Sequence, residues 1–108
     1  AYPGPSIVIA YSHCIAHGYD MGHGMDQQAL AVKTGYWPLF RFNPMNEQGK
    51  RFLMDSKDPS VPMEDFLYNE NRFATIKNNY PERAHEFLDQ ANEGMHLRWN
   101  RLMALKDL

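Results

Sequence analysis

The side chains best suited to chemistry gather in one short stretch. Cys14 is the only cysteine of the chain; His13 precedes it, His17 follows three residues later, and His23 lies a little beyond. A thiolate is a strong nucleophile and a soft metal ligand, and a neutral imidazole suits many of the same metals. Cys14 is therefore a candidate for nucleophilic work, for one ligand of a metal or metal–sulfur cluster, or, with His13, His17 and His23, for a four-ligand zinc site. The bland alternative is a small buried apolar side chain, the ordinary fate of a lone cysteine. Position speaks for chemistry. Ile7-Val8-Ile9-Ala10-Tyr11 is β-branched and apolar without a helical period, and it reads as a central strand of an α/β sheet. Ligands of open α/β sheets lie beyond the carboxyl ends of their strands, which is where Cys14 falls.

The other polar groups carry less. Glu64, Asp65 and Glu70 in "MEDFLYNENRF" have acid–base character, but acids at a helix start, facing its positive end, account for all three. His85 and His96 fall on a helix face expected to be exposed. Gly18, Gly22 and Gly24 lack the strand–glycine–helix spacing of a dinucleotide fingerprint. Met95, Trp99, Phe66 and Phe73 read as core, and no serine–histidine–aspartate set is present in pattern.

Elements that position Cys14 follow from periodicity. Asp26 is expected to cap a helix over 27–34 with Met25, Ala29, Val32 and Leu30 on its apolar face, and Gly35 to end it. Leu39, Phe40 and Phe42 suit a short strand ended by Asn43-Pro44. Strand, helix and strand predict a right-handed parallel βαβ unit. Gly49 supplies a turn and Phe52-Leu53-Met54 a partner strand, making a hairpin. After a linker, Ser60 and Pro62 introduce a helix from Met63 to about Glu70, whose pattern continues through Phe73 and Ile76. Pro81 opens a last helix with Ala84, Leu88, Ala91, Met95, Trp99 and Leu102 on one stripe, flanked by Phe87 and Arg98, with a bend possible at Gly94. The expected class is α/β: residues 1–58 form βαβ plus hairpin, and 59–108 a helical tail.

Totals narrow the classes. In 108 residues, 44% are apolar and 13% aromatic, as in a folded domain rather than a disordered one. A net charge of −2 provides no basic field for nucleic acid or an anionic membrane surface. No apolar run reaches the roughly 20 residues of a membrane span, and no signal-type start is seen. One cysteine forms no internal disulfide, so a cytoplasmic location is expected. The opening Ala1-Tyr2-Pro3-Gly4-Pro5 feeds straight into a buried-type strand, as in an excised piece of a longer protein. A strand short of neighbours exposes apolar surface, so the piece is expected to self-associate.

"GPSIVIAYSHCIAHG", "DQQALAVKTGYWPLFRFNP" and "EDFLYNENRF" resemble, in order and from Gly4 to about Met103, the carboxyl-terminal part of single-chain pyruvate:ferredoxin (flavodoxin) oxidoreductases. The resemblance implies a fragment of a parallel-sheet, thiamine-diphosphate-binding domain. It implies a parent enzyme that decarboxylates pyruvate oxidatively with coenzyme A to acetyl-CoA and carbon dioxide, using thiamine diphosphate and Mg2+. Electrons would pass through 4Fe–4S clusters to ferredoxin or flavodoxin. By the same resemblance Cys14 is one of four thiolate ligands of a cluster; from their adjacency in sequence alone, Ser12, His13, His17 and Gly18 are expected around it. The family's G-D-G segment and its other cluster cysteines are absent from these residues. The piece alone is thus expected to be inactive and to bind no thiamine diphosphate. Two other readings stand beside this one: a stand-alone α/β binding or scaffold module, and a small zinc protein using His13, Cys14, His17 and His23.

Overall fold

A computed structural model describes residues 2–108. The last helix, α4 (Pro81–Ala104), holds the frame together because its apolar stripe is the longest in the chain. Pro81 sits in its first turn, where a missing N–H removes no helical hydrogen bond. Ala84, Met95 and Trp99 are buried, and Leu88, Ala91 and Leu102 half-buried, as the stripe predicts. Phe87 and Arg98 flank it on exposed ground, and His85 and His96 are exposed. The helix is continuous through Gly94.

The segment before it differs from expectation. Helix α2 (Met63–Leu67) stops three residues short of Glu70, and a second helix, α3 (Asn71–Asn79), begins directly after that residue. Ser60 does not cap α2; its backbone N–H donates to Lys33 O at 2.9 Å, and Pro62 takes the cap position without a side-chain bond. Between the helices Glu70 is extended (φ −103°, ψ 128°). Its side chain is fully buried, as its spacing of seven, four and three residues from the buried Met63, Phe66 and Leu67 would also demand of a continuous helix. Glu64 and Asp65 do lie in the first turn of α2, matching the helix dipole.

Helix α1 (Gly24–Lys33) starts earlier than expected. Asp26 lies inside its first turn rather than capping it, and Asp20 instead accepts from Gly22 N–H at 2.9 Å, capping the 3-10 turn Met21–His23 just before. The buried face also differs. Met25 and Ala29 are exposed and Leu30 and Val32 half-buried, while Gln27, Ala31 and Thr34 are buried. A polar Gln27 turned inward rotates the helix away from its apolar-looking stripe, because its amide has buried partners to satisfy. Gly35 ends the helix at φ 77°, a left-handed conformation. A Cβ at Gly35 would come within 2.9 Å of Pro59 Cγ and 3.0 Å of Met95.

The sheet has two strands, β1 (Phe40–Phe42) and β2 (Phe52–Met54), antiparallel, pairing Phe40 with Met54 and Phe42 with Phe52. The expected hairpin is present. Its loop is closed by Asn43 Oδ1 accepting from Met45 N–H at 3.0 Å and by Gly49 at φ 81°. The parallel βαβ unit is not formed within the described residues. Ile7 to Tyr11 runs extended without sheet pairing, with Ile7, Val8 and Ile9 88%, 91% and 75% exposed. A parallel strand needs a neighbour laid down by another segment, and β1 pairs along one edge only, with β2.

The core joins Ala31, Met63, Phe66, Leu67 and Met95, with Tyr11, Tyr36, Trp37 and Leu88 packed around it. Phe66 is wholly buried and meets the Tyr36 ring at 4.5 Å. The radius of gyration, 16.4 Å, exceeds the roughly 13 Å of a compact chain near this length. No helix among the described residues is long and apolar enough to cross a membrane.

The two glycines predict opposite signs. Gly35→Ala is expected to destabilise the fold by at least about 1–2 kcal/mol, the cost of left-handed backbone with a Cβ. Gly94→Ala, with nothing within 4 Å of the new methyl, is expected to stabilise it by up to about 1 kcal/mol. Urea denaturation of the two variants beside the wild type checks both.

Candidate functional site

The loop carrying Cys14 is built from its fixed ends inward. Tyr11 anchors the entry, its ring 5.4 Å from Trp37 and 5.9 Å from Tyr36. A single 3-10 turn, Ile15–His17, follows Cys14, closed by His17 N–H donating to Cys14 O at 3.0 Å. Gly18 ends the turn at φ 76°, and its carbonyl accepts from Asn71 N–H at 2.8 Å. A Cβ at Gly18 would sit 2.5 Å from Asn71 Cβ, so only glycine lets the loop lie against the start of α3. His13 closes the other side: a Cβ on Gly24 would come within 2.7 Å of its Nε2.

This packing sends neighbouring side chains in opposite directions. Cys14 is exposed and free. Ser12 is exposed and its hydroxyl donates to His13 O at 3.2 Å. His13 is half-buried, and its ring lies 6.3 Å from that of Tyr19. His17 turns inward, with Nδ1 3.8 Å from Glu70 Oε2 and only 17% of its side chain exposed. His23 points to solvent beside Asp20 and Asp26. Cys14 and the histidines thus fail to converge, and among the described residues no group of three or more His, Cys, Asp or Glu side chains is placed to hold one metal ion. That geometry speaks against the zinc alternative. The exposed thiol also corrects the bland reading of Cys14 as buried filler.

Behind the loop lies the feature that sequence reasoning missed. Glu70, read as a helix-start acid, is fully buried. Its Oε1 accepts from Arg72 Nε at 2.6 Å and its Oε2 from Gln27 Nε2 at 3.0 Å. The same Gln27 amide donates to Phe66 O at 2.9 Å, and its oxygen accepts from Asn69 Nδ2 at 3.1 Å. A buried carboxylate needs a charge partner and full hydrogen bonding, and here one cation and one amide provide them. The available signal was Arg72 two residues on, together with the spacing of Glu70 three, four and seven residues after the apolar Leu67, Phe66 and Met63. Arg98 does more than flank the α4 stripe. Its guanidinium donates to Gly35 O and Tyr36 O at 3.1 and 2.9 Å, pinning the turn after α1.

The buried charge colours its surroundings. Burial first, then the negative field of Glu70, push the Tyr11 phenol above its ordinary range, with Arg72 partly offsetting them. Burial, Glu70 and Cys14, in that order, push Tyr19 up as well. Burial of Arg72 works against its charge, but the hydrogen bond and field of Glu70 prevail and hold the guanidinium more firmly protonated. Tyr11 OH, His13 Nδ1, His17 Nδ1 and Tyr19 OH are buried without a hydrogen-bond partner among the described residues. All four belong to the segment around Cys14. A lone outward thiolate can serve as one ligand of a metal or metal–sulfur cluster only where other segments supply the rest. Its geometry offers no second ligand.

No family model matches the chain. Individual proteins do, and they are oxidoreductases. The chain is 48% identical over 97% of its length to the pyruvate-flavodoxin oxidoreductase of Rhodospirillum rubrum. It is 41% identical over 94% of its length to a probable pyruvate-flavodoxin oxidoreductase of Escherichia coli. With the pyruvate:ferredoxin oxidoreductase of Moorella thermoacetica it shares 37% over 98%. The chain spans only 9% of the length of each of these proteins. It matches a fragment of pyruvate-flavodoxin/ferredoxin oxidoreductase.

Raised phenol pKa values carry a sign for stability. Tyr11 folds preferentially neutral, so its contribution is complete below the ordinary value of 10.0 and is lost as pH rises through the higher folded value. Between about pH 9 and about pH 11 the wild type is expected to lose more unfolding free energy than Tyr11→Phe. Equal losses in parallel urea titrations would contradict the assignment.

Proposed function

We propose that the chain is a working segment of a larger enzyme that oxidatively decarboxylates pyruvate with coenzyme A and delivers the electrons to flavodoxin or ferredoxin. The observation that carries this is the identity of up to 48% along almost the whole chain with proteins of that name. Within that enzyme Cys14 is a ligand of a 4Fe–4S cluster. The cluster would supply one-electron transfer; the chain supplies one thiolate and the walls around it. Its exposed position agrees with a ligand that must meet partners from other segments. Ser12, His13, His17 and Gly18 shape the loop: the turn closed on Cys14 O orients the thiol, and Gly18 lets that turn rest on α3. Thiamine diphosphate and Mg2+ would be held by residues outside this chain, and no step is assigned to its own residues there. A piece offering one thiolate in place of four is inactive alone.

The same reading accounts for the exposed arm. In the parent, Ile7 to Tyr11 takes its place as a parallel strand between neighbours from the remaining polypeptide, and Ile7, Val8 and Ile9 lose their exposure there. A location in the cytoplasm accords with a reduced thiol as ligand.

Cys14→Ala in the full-length enzyme is expected to abolish the EPR signal of one cluster and the transfer of electrons to the acceptor protein. Retention of every cluster signal would overturn the ligand assignment. For the isolated chain, the bare apolar arm predicts a dimer or larger species in light scattering, and a monodisperse monomer would argue against an interface there.

A further inference from the structure

We propose that Glu70 is a positioning residue for Cys14, and that its buried carboxylate sets a fixed negative charge behind the thiolate and tunes the group bound to it. The inference rests on the reading of Cys14 as a cluster ligand and goes beyond it by assigning a residue far away in sequence.

Three observations carry it. Glu70 is fully buried although carboxylates rarely are, and it stands at the junction of α2 and α3 in extended backbone. It reaches the Cys14 loop along two routes. The next residue, Asn71, holds Gly18 O through its backbone at 2.8 Å. Glu70 Oε2 also faces the imidazole of His17, whose own backbone N–H holds Cys14 O. Finally, Gln27 ties the same carboxylate to α1 at 3.0 Å, so the loop, α1 and α3 are referred to one buried point. A surface acid in that position would do none of this. Arg72, bonded to the other carboxylate oxygen, compensates the charge only in part, since its side chain remains 34% exposed and is screened by solvent.

The physical effect has a definite direction. Reducing a cluster adds an electron, and a negative charge in a low-dielectric wall opposes it, lowering the potential. Removing the charge while keeping the shape raises the potential. The test uses the full-length, cluster-loaded enzyme and EPR-monitored redox titration of each cluster. Glu70→Gln is expected to move to more positive values the one cluster whose signal disappears in Cys14→Ala, leaving the others unmoved.

The same charge is read a second time by comparing Arg72→Gln with Glu70→Gln/Arg72→Gln, which keeps the proposal testable if the single Glu70 variant does not assemble. The double variant leaves no orphaned charge, and its cluster is expected at the more positive potential of the two. Absence of a shift in the pairs that assemble overturns the proposal, as does an equal shift in all clusters. If Cys14→Ala retains every cluster, the ligand reading itself has failed; if it loses one and the Glu70 pairs show no shift, only the present inference has.

Discussion

A single buried negative charge organises this chain. Taking a carboxylate out of water costs several kcal/mol unless it is paired and hydrogen-bonded, and Glu70 is satisfied only when Arg72 and Gln27 are both in place. Arg72 is a local partner and Gln27 comes from α1, so satisfying one side chain ties α1 to the junction of α2 and α3. The demand explains local features that look irregular in isolation. Glu70 stands buried in extended backbone between α2 and α3. Gln27 occupies a face that apolar counting would give to Met25 and Ala29. Glycine stands at position 18, where the loop touches Asn71.

The remainder of the core is conventional hydrophobic packing. Phe66, Met63, Leu67 and Ala31 close on Met95 of α4, and the aromatic group of Tyr11, Tyr36 and Trp37 covers one end. Arg98 adds a polar clasp from α4 to the turn after α1. The loop with Cys14 is thus held from behind while its thiol faces outward. A ligand shared among several segments needs that arrangement: rigid support within each segment and an open side toward the others.

Much of the fold was legible in the sequence. The α4 stripe, the hairpin, Gly35 and Gly49 at positive φ, and the breaks near Pro62 and Pro81 all follow from local rules, because helix periodicity and turn stereochemistry are properties of neighbouring residues. Ile7 to Tyr11 reads as a buried central strand, and it is extended but unpaired and exposed among the described residues, since pairing belongs to whatever segment lies beside it. At the candidate site, Cys14 stood out by type and position. Glu70 did not, because it was grouped with the solvated acids Glu64 and Asp65, although its spacing from Met63, Phe66 and Leu67 sets it on their face of a helix.

By itself, then, the sequence determined the last helix, the hairpin, the single thiol as a candidate and the kinship visible in its long motifs. Each rests on residue type and short-range spacing. Only the tertiary structure decided that Cys14 faces outward while His17 faces in, that Glu70 rather than another acid is buried, and that Gln27 sets the rotation of α1. These depend on contacts between residues far apart in the chain, Gln27 to Glu70 among them, and a local pattern carries no record of which distant partner will satisfy a buried charge.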